Sequence, residues 1–348
     1  MSHASFISYA LQLAKKGGGY VHPNPLVGCV IVKDNQIISE GYHQYYGGAH
    51  AEVNAIQSLE NKGFQEWDKV TLYVTLEPCS HFGKTPPCTN LILEKGIKKV
   101  VIASTDPNPI VAGKGIQKLK ENGVEVITGI LESEAKELNK RFFTYHLKHR
   151  PYVILKWAET KDGYISKLHF QNREENIISS LEALKLVHLW RSEEHSIMVG
   201  YNTIVKDNPM LNVRYCQGKN PIKIIWDKYL SLNPSEWNFF LSDEKIIVLN
   251  EIKDEEQGKI IYRKINSQNF ANEMLRVLYE LNIVSVLIEG GKQVLEKMIN
   301  ANIFDEIRVI TSKNKLFHSG LSSPELPENI KCIEEIHLPD DVIRVYKR

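Results

Sequence analysis

Short runs of consecutive apolar residues at 27–32, 71–76 and 100–103 alternate with stretches in which apolar side chains recur every three or four positions, at 5–16, 51–59, 89–94 and 116–121. The runs read as buried strands and the stretches as amphipathic helices, several of them closed by glycine. Such alternation predicts a sheet with helices on both faces. A further helical pattern at 132–142 leads into K-H-R-P, where a basic cluster and Pro151 interrupt it. The domain boundary is placed there, giving domains at 1–148 and 151–348.

Beyond Pro151 the pattern restarts with a strand at 152–157, a helix at 181–191 and a buried strand at 197–200. Strands at 222–226, 246–249 and 285–288 and helices at 272–281 and 293–299 follow, so this half is α/β as well. The charged stretch 254–257 reads as a solvated loop, and no internal repeat interrupts the order.

Composition narrows the partners. A chain of 348 residues is long enough for two ordinary cores. Its 43 Lys and Arg against 42 Asp and Glu leave no basic excess to track phosphates, which argues against nucleic acid. No apolar run approaches the roughly 18 residues that span a bilayer, and M-S-H-A-S-F lacks the form of a secretion signal. A cytoplasmic protein without a membrane partner is expected. Five cysteines are too scattered for a disulfide framework. Cys29 sits in the apolar run V-G-C-V-I-V and reads as a small core residue, while Cys216 and Cys332 carry no motif.

Cys79 and Cys88 do carry one. H-A-E at His50 to Glu52 and T-L-E-P-C-S-H-F-G-K-T-P-P-C over residues 75–88 place a His, a Glu two residues on and then two cysteines in the order of zinc deaminases. A zinc that activates water needs three protein ligands and an open fourth position, which His50, Cys79 and Cys88 supply. Glu52 is then the proton shuttle: zinc lowers the pKa of water from about 15.7 toward about 7, and a carboxylate alongside carries the proton to the departing amine. A closed structural zinc would need a fourth ligand, for which His81 is the candidate, and a zinc-stabilised interaction module would have no use for Glu52. Pro78 is expected to open a helix behind the strand at 71–76.

Eight residues separate the two cysteines where the general deaminase pattern has two. With P-N-P-L-V-G at 23–28, G-Y-H at 41–43, H-A-E-V-N-A at 50–55, the long cysteine insert and D-P-N-P-I-V-A-G-K-G at 106–115, the first half resembles the riboflavin-pathway deaminases. The resemblance implies a cytidine-deaminase-like three-layer α/β/α domain that hydrolyses an amino group from a diaminopyrimidinone bearing a phosphoribosylamino arm. It implies zinc on His50, Cys79 and Cys88, substrate contacts from Asn24 and His43, and phosphoribosyl contacts from Lys84 and Thr85.

No G-x-G-x-x-G follows a strand in the second half, so a Rossmann site is not indicated. R-P-Y-V-I-L-K-W-A at 150–158, D-G-Y-I at 162–165, V-H-L-W-R at 187–191, V-G-Y-N-T-I-V-K-D-N-P-M-L-N-V-R at 199–214 and I-E-G-G at 288–291 are similar to the reductase domain that follows the deaminase in the same family. The resemblance implies a dihydrofolate-reductase-like α/β fold that uses NADPH to reduce the ribosyl arm of the deaminated pyrimidine to ribityl. Ala158, Thr203, Asp207 and the turn at Gly291 and Lys292 would face the cofactor. Leu211, Arg214 and Glu289 would face the substrate, and Lys156 would place a charge at the sugar's reacting centre. Homo-oligomerisation through this domain is also implied. Ile177 stands where many members have Trp, Glu175 where Ser is usual and His195 where Asp is common. An aliphatic side chain cannot stack like an indole, and a carboxylate beside a phosphorylated substrate costs binding unless it turns away. The alternative is a zinc deaminase of another nucleobase or of tRNA, with a second half kept only for assembly.

Overall fold

The computed structural model describes residues 2–82, 86–109, 111–169, 173–241 and 243–348. Two compact units divide the chain, Met1–His149 and Arg150–Arg348.

In the first unit α1 (His3–Lys15) opens on Ser2, whose hydroxyl accepts the Ser5 N–H at 3.2 Å. There follow β1 (Gly28–Lys33), β2 (Gln36–Tyr42), α2 (Ala51–Glu60), β3 (Thr71–Leu76), α3 (Cys88–Glu94), β4 (Lys99–Ser104), α4 (Lys114–Glu121), β5 (Glu125–Thr128), α5 (Glu132–Leu138) and α6 (Lys140–Lys148). The strands order as β2-β1-β3-β4-β5, antiparallel from β2 to β3 and parallel from β3 to β5. Successive side chains point to opposite faces. Ile31, Leu72, Val74, Val100 and Ile102 pack with residues of α2, α3 and α4, while Val30, Tyr73 and Val101 pack with α1 and α5. This is the three-layer arrangement the alternating pattern implied.

Two local expectations are corrected. The helical pattern at 132–142 is two helices, because the buried Asn139 turns its amide onto the backbone of Leu26. Its Oδ1 accepts the Leu26 N–H at 2.8 Å and its Nδ2 donates to the Leu26 carbonyl at 2.9 Å. The side chain thereby satisfies two backbone groups as a neighbouring strand would, and the helix breaks to let it reach them. Pro78 opens no helix: residues 77–80 are irregular, and the next helix starts at Cys88 after the extended Pro87.

The second unit runs β6 (Tyr152–Glu159), β7 (Tyr164–Ser166), α7 (Leu181–Glu193), β8 (Ser196–Gly200), α8 (Tyr201–Asp207), β9 (Ile222–Trp226), β10 (Ile246–Asn250), β11 (Glu255–Gln257), β12 (Ile260–Lys264), α9 (Phe270–Glu280), β13 (Ser285–Ile288), α10 (Lys292–Asn300), β14 (Glu306–Ser312), β15 (Leu321–Ser322), β16 (Lys331–His337) and β17 (Asp341–Lys347). Its main sheet has the order β11-β12-β10-β9-β8-β13-β6-β14-β17-β16. The strands from β12 to β14 are parallel, and the two edges are antiparallel. The stretch read as a solvated loop at 254–257 contributes the exposed edge strand β11. Strand β13 returns from the far side of the sheet to fill the gap between β6 and β8. The carboxyl ends of these three strands therefore meet where the chain order reverses, the place where open α/β sheets leave a crevice.

Candidate active sites

His50 immediately precedes α2 and Glu52 lies in its first turn, Cys88 is the first residue of α3, and Cys79 follows β3. Among the described residues these two cysteines and His50 are the one group whose ligand atoms gather within 4.8 Å of each other. His50 Nδ1 stands 3.3 Å from Cys88 Sγ and 3.6 Å from Cys79 Sγ. Tetrahedral zinc, with bonds of about 2.0–2.1 Å to nitrogen and about 2.3 Å to sulfur, separates the two by about 3.6 Å, so the donors already lie at coordination spacing. The Cys88 N–H donates to Cys79 Sγ at 3.3 Å. A hydrogen bond with Cys88 and then the nearby His50 imidazole outweigh burial and bring the Cys79 thiol down to about 4. His50 is pushed up to about 9, chiefly through its hydrogen bond with Cys79, and the Cys88 thiol is pushed up by Cys79 and by burial. A divalent cation bound by the three would displace the protons they share. His81 is exposed and lies outside the trio. Three donors without a fourth protein ligand among the described residues match a catalytic zinc rather than a closed one.

His50 and Cys79 border a cavity of about 320 Å³ lined also by Asn24, His43, Glu52, Asp106 and Phe142. Burial raises the Glu52 carboxyl above its usual range, against the opposing pull of His50. His43 Nδ1 lies 3.0 Å from the Ala49 carbonyl, which can only accept, so the ring donates there. Its Nε2, 3.1 Å from Asn24 Nδ2, then accepts from the Asn24 amide. Burial lowers the His43 pKa, which favours this neutral form. The expected substrate residues Asn24 and His43 are therefore in the cavity and joined to each other, whereas Lys84 and Thr85 lie outside the described residues. Two acids in this wall have no role in the sequence reading. Asp106 is pushed up to about 7, first by burial and then by the negative charges of Glu77 and Cys79. Glu77 is buried in the same wall.

In the second unit a cleft of about 1020 Å³ lies at the carboxyl ends of β6, β8 and β13. Lys156, Ala158, Thr203, Asp207, Glu289 and the Gly291–Lys292 turn, the candidates named from the sequence, all line it. Lys156 Nζ is 3.8 Å from Glu289 Oε2. Arg191, on α7, clamps the same carboxylate with Nε 2.6 Å from Oε1 and Nη2 2.7 Å from Oε2. Burial pushes Glu289 up, but Arg191 and Lys156 together outweigh it and hold the carboxyl below its ordinary range. Lys156 is lowered by burial first, with Glu289 opposing and Arg191 adding to the effect. Arg191 is not among the residues that the sequence singles out, because its carboxylate partner is 98 residues away.

Gly291 precedes α10 at φ +67, next to Gly290 at φ +139. Both values belong to glycine, and they open the helix N-terminus to the cleft, where oriented N–H groups suit a pyrophosphate. The cleft volume and this turn fit a dinucleotide.

Other expected contacts are placed differently. The Leu211 side chain is core: it is buried with Ile197, Ile204 and Phe239 and does not line the cleft. Its apolar side chain is better satisfied there, and the residue is held at φ +50. Arg214 is exposed and outside the cleft lining, with Nη1 donating to Asn212 Oδ1 at 2.8 Å and its guanidinium over the Tyr215 ring. Glu175 lies 4.0 Å from Lys167 and is not among the residues lining the cleft, whereas Ile177 is on its wall.

The fold and the sites define a zinc-type deaminase domain followed by a dihydrofolate-reductase-like domain. Residues 1–104 match the cytidine and deoxycytidylate deaminase zinc-binding region, and residues 151–312 match the RibD C-terminal domain. The chain is 40% identical to riboflavin biosynthesis protein RibD of Aquifex aeolicus over 99% of its own length and 98% of the relative's. It is 36% identical to RibD of Actinobacillus pleuropneumoniae, covering 96% and 90% of the two chains. Among solved structures it is similar to a diaminohydroxyphosphoribosylaminopyrimidine deaminase/5-amino-6-(5-phosphoribosylamino)uracil reductase from Thermotoga maritima, with TM-score 0.89, 38% identity and coverage of 99% and 98%. RibD of Acinetobacter baumannii gives TM-score 0.88 at 31% identity with the same coverage. The chain belongs to the RibD family of bifunctional deaminase/reductases of riboflavin biosynthesis.

Proposed function

We propose that the first unit hydrolytically deaminates 2,5-diamino-6-(5-phosphoribosylamino)pyrimidin-4(3H)-one, and that the second reduces the ribosyl arm of the product, 5-amino-6-(5-phosphoribosylamino)uracil, to ribityl with NADPH. The observation that carries this reading is the His50, Cys79 and Cys88 trio at zinc spacing, with the buried Glu52 lining one cavity together with His50 and Cys79. Zinc, when bound, supplies Lewis acidity that makes water a nucleophile near neutral pH. Glu52 holds a proton at its carboxyl, which burial favours, and passes it to the departing amine. Asn24, fixed through His43, orients the ring.

In the cleft the Gly291–Lys292 turn would hold the cofactor's phosphates, and NADPH when bound would supply the hydride. Lys156 holds a positive charge at the sugar's reacting carbon and oxygen, while Arg191 keeps Glu289 ionised and in place. Mass analysis of products from the diaminopyrimidine tests both steps. Exchange of an amino group for oxygen is expected without NADPH, and a further gain of hydrogen with it. Turnover of free cytidine in preference to the diaminopyrimidine, or no NADPH oxidation, would overturn the respective half.

A further inference from the structure

Glu77 follows β3 and stands two residues before Cys79, yet neither the metal trio nor the proton shuttle uses it. Its Oε2 accepts the N–H groups of Asp106 at 3.2 Å and Gly113 at 3.0 Å, and its Oε1 accepts those of Gly115 at 2.9 Å and Ile116 at 3.1 Å. All of these donors lie in the segment that leaves β4 and enters α4. A ring of backbone amides around one anion is an anion-binding concavity, here filled by the chain's own carboxylate. The fit is tight: a Cβ on Gly115 would stand 2.1 Å from the Pro78 carbonyl oxygen and 3.2 Å from Glu77 Cγ. Asp106 at one clamped end, and Asn108 and Val111 between the ends, line the deaminase cavity. Asp106 Oδ1 in turn accepts the Asn108 N–H at 2.8 Å, so the wall is braced from within as well as from Glu77.

We propose that Glu77 is a positioning residue of the deaminase. With both oxygens engaged it acts through the wall rather than on the pyrimidine, fixing Asp106 and Asn108 in the place where the ring is recognised. Because β3 delivers Glu77 and Cys79 on adjacent turns of chain, the recognition wall and the metal trio are set against each other by one short segment. The assignment rests on the deaminase reading above.

Glu77→Gln tests it, since the amide keeps the shape but replaces one accepting oxygen with a donor that faces two N–H groups. Zinc content should stay stoichiometric. KM for the diaminopyrimidine should rise by about tenfold or more while kcat stays within roughly threefold, as expected when buried hydrogen bonds are lost from a binding wall rather than from the reacting groups. Amide hydrogen exchange at 106, 113, 115 and 116 should speed up while α2 stays protected, and reduction of already deaminated substrate by the same preparation should be unchanged. A fall in zinc content or kcat with KM unaltered would mark a merely structural role and overturn the proposal, as would unaltered KM with the four amides still protected. If the variant does not accumulate folded, Glu77→Asp carries the same readouts: its shorter arm should still raise KM, and an unchanged KM overturns the proposal there too. Should the wild-type chain not deaminate the diaminopyrimidine, the deaminase reading fails by itself, and the exchange comparison still decides whether Glu77 holds the wall.

Discussion

In the first unit two thiols and an imidazole converge within 4.8 Å of one another as a donor set for a cation, whereas in the second Lys156 and Arg191 close around the one carboxylate of Glu289. The deaminase trio is a receptor for a divalent cation: its donors would give up their protons on binding one, so its chemistry depends on what binds there. The reductase cluster is complete in the polypeptide, with one negative and two positive side chains, of which Lys156 and Glu289 line the cleft. Buried charge serves both sites, but only the first requires an ion to finish it.

The sharpest test of that contrast is Glu52→Gln. Deamination should fall by roughly 10²- to 10⁴-fold with zinc retained, while NADPH oxidation on already deaminated substrate continues. Deamination within about threefold of wild type would remove Glu52 from proton transfer. Cys88→Ser should weaken zinc binding by more than roughly 100-fold, beyond what the loss of an outer partner costs, and deamination should fall with the metal. Stoichiometric zinc after dialysis against a chelator would show that the receptor does not need Cys88.

On the other side, Lys156→Ala should slow single-turnover NADPH oxidation by an amount equivalent to roughly 2 to 4 kcal/mol and leave deamination intact. Lys156→Arg sharpens this, because a broad planar cation in place of a compact one should also lose most of the rate if the charge acts on a single sugar atom. Near-normal rates in both variants would take Lys156 out of the reaction.

The smallest expected effect is on stability. His188 accepts the Arg214 N–H at Nδ1 and is brought down to about 4, by burial first and then by the charges of Arg191 and Arg214. An unfolded histidine titrates near about 6.5. As pH falls from about 6.5 to about 4 the unfolded chain takes up a proton that the folded unit refuses, so stability declines across that window and levels off below it. Urea midpoints measured against pH should show a shallower decline in His188→Gln than in wild type, and parallel curves would contradict the assignment.

The deaminase centre was legible because its ligands lie in short motifs at element ends: His50 and Glu52 share a turn, and Cys88 starts a helix whose apolar spacing is plain. The wall was not. Glu77 and Asp106 look like ordinary polar residues until folding brings them together across a separation of 29 positions. The strands β6, β8, β9 and β13 were visible as apolar runs, but β2, β5 and β11 were passed over because their side chains are mixed or exposed. The reductase cleft depended on resemblance throughout, since Lys156, Arg191 and Glu289 come from a strand, a helix and a loop far apart in the chain. Where resemblance supplied a residue without its environment, as with Leu211, the side chain went to the core.

Asn139 bears on how small a working deaminase can be. The segment shared with cytidine deaminases ends at residue 104, and the sheet is complete at β5. Yet the bonds from Asn139 to Leu26 hold the start of α6 against the loop that carries Asn24, and Phe142 from that helix closes part of the cavity. A transplant cut after β5 would carry every zinc ligand and the proton shuttle but an unsealed pocket, so the portable catalytic module extends through α6.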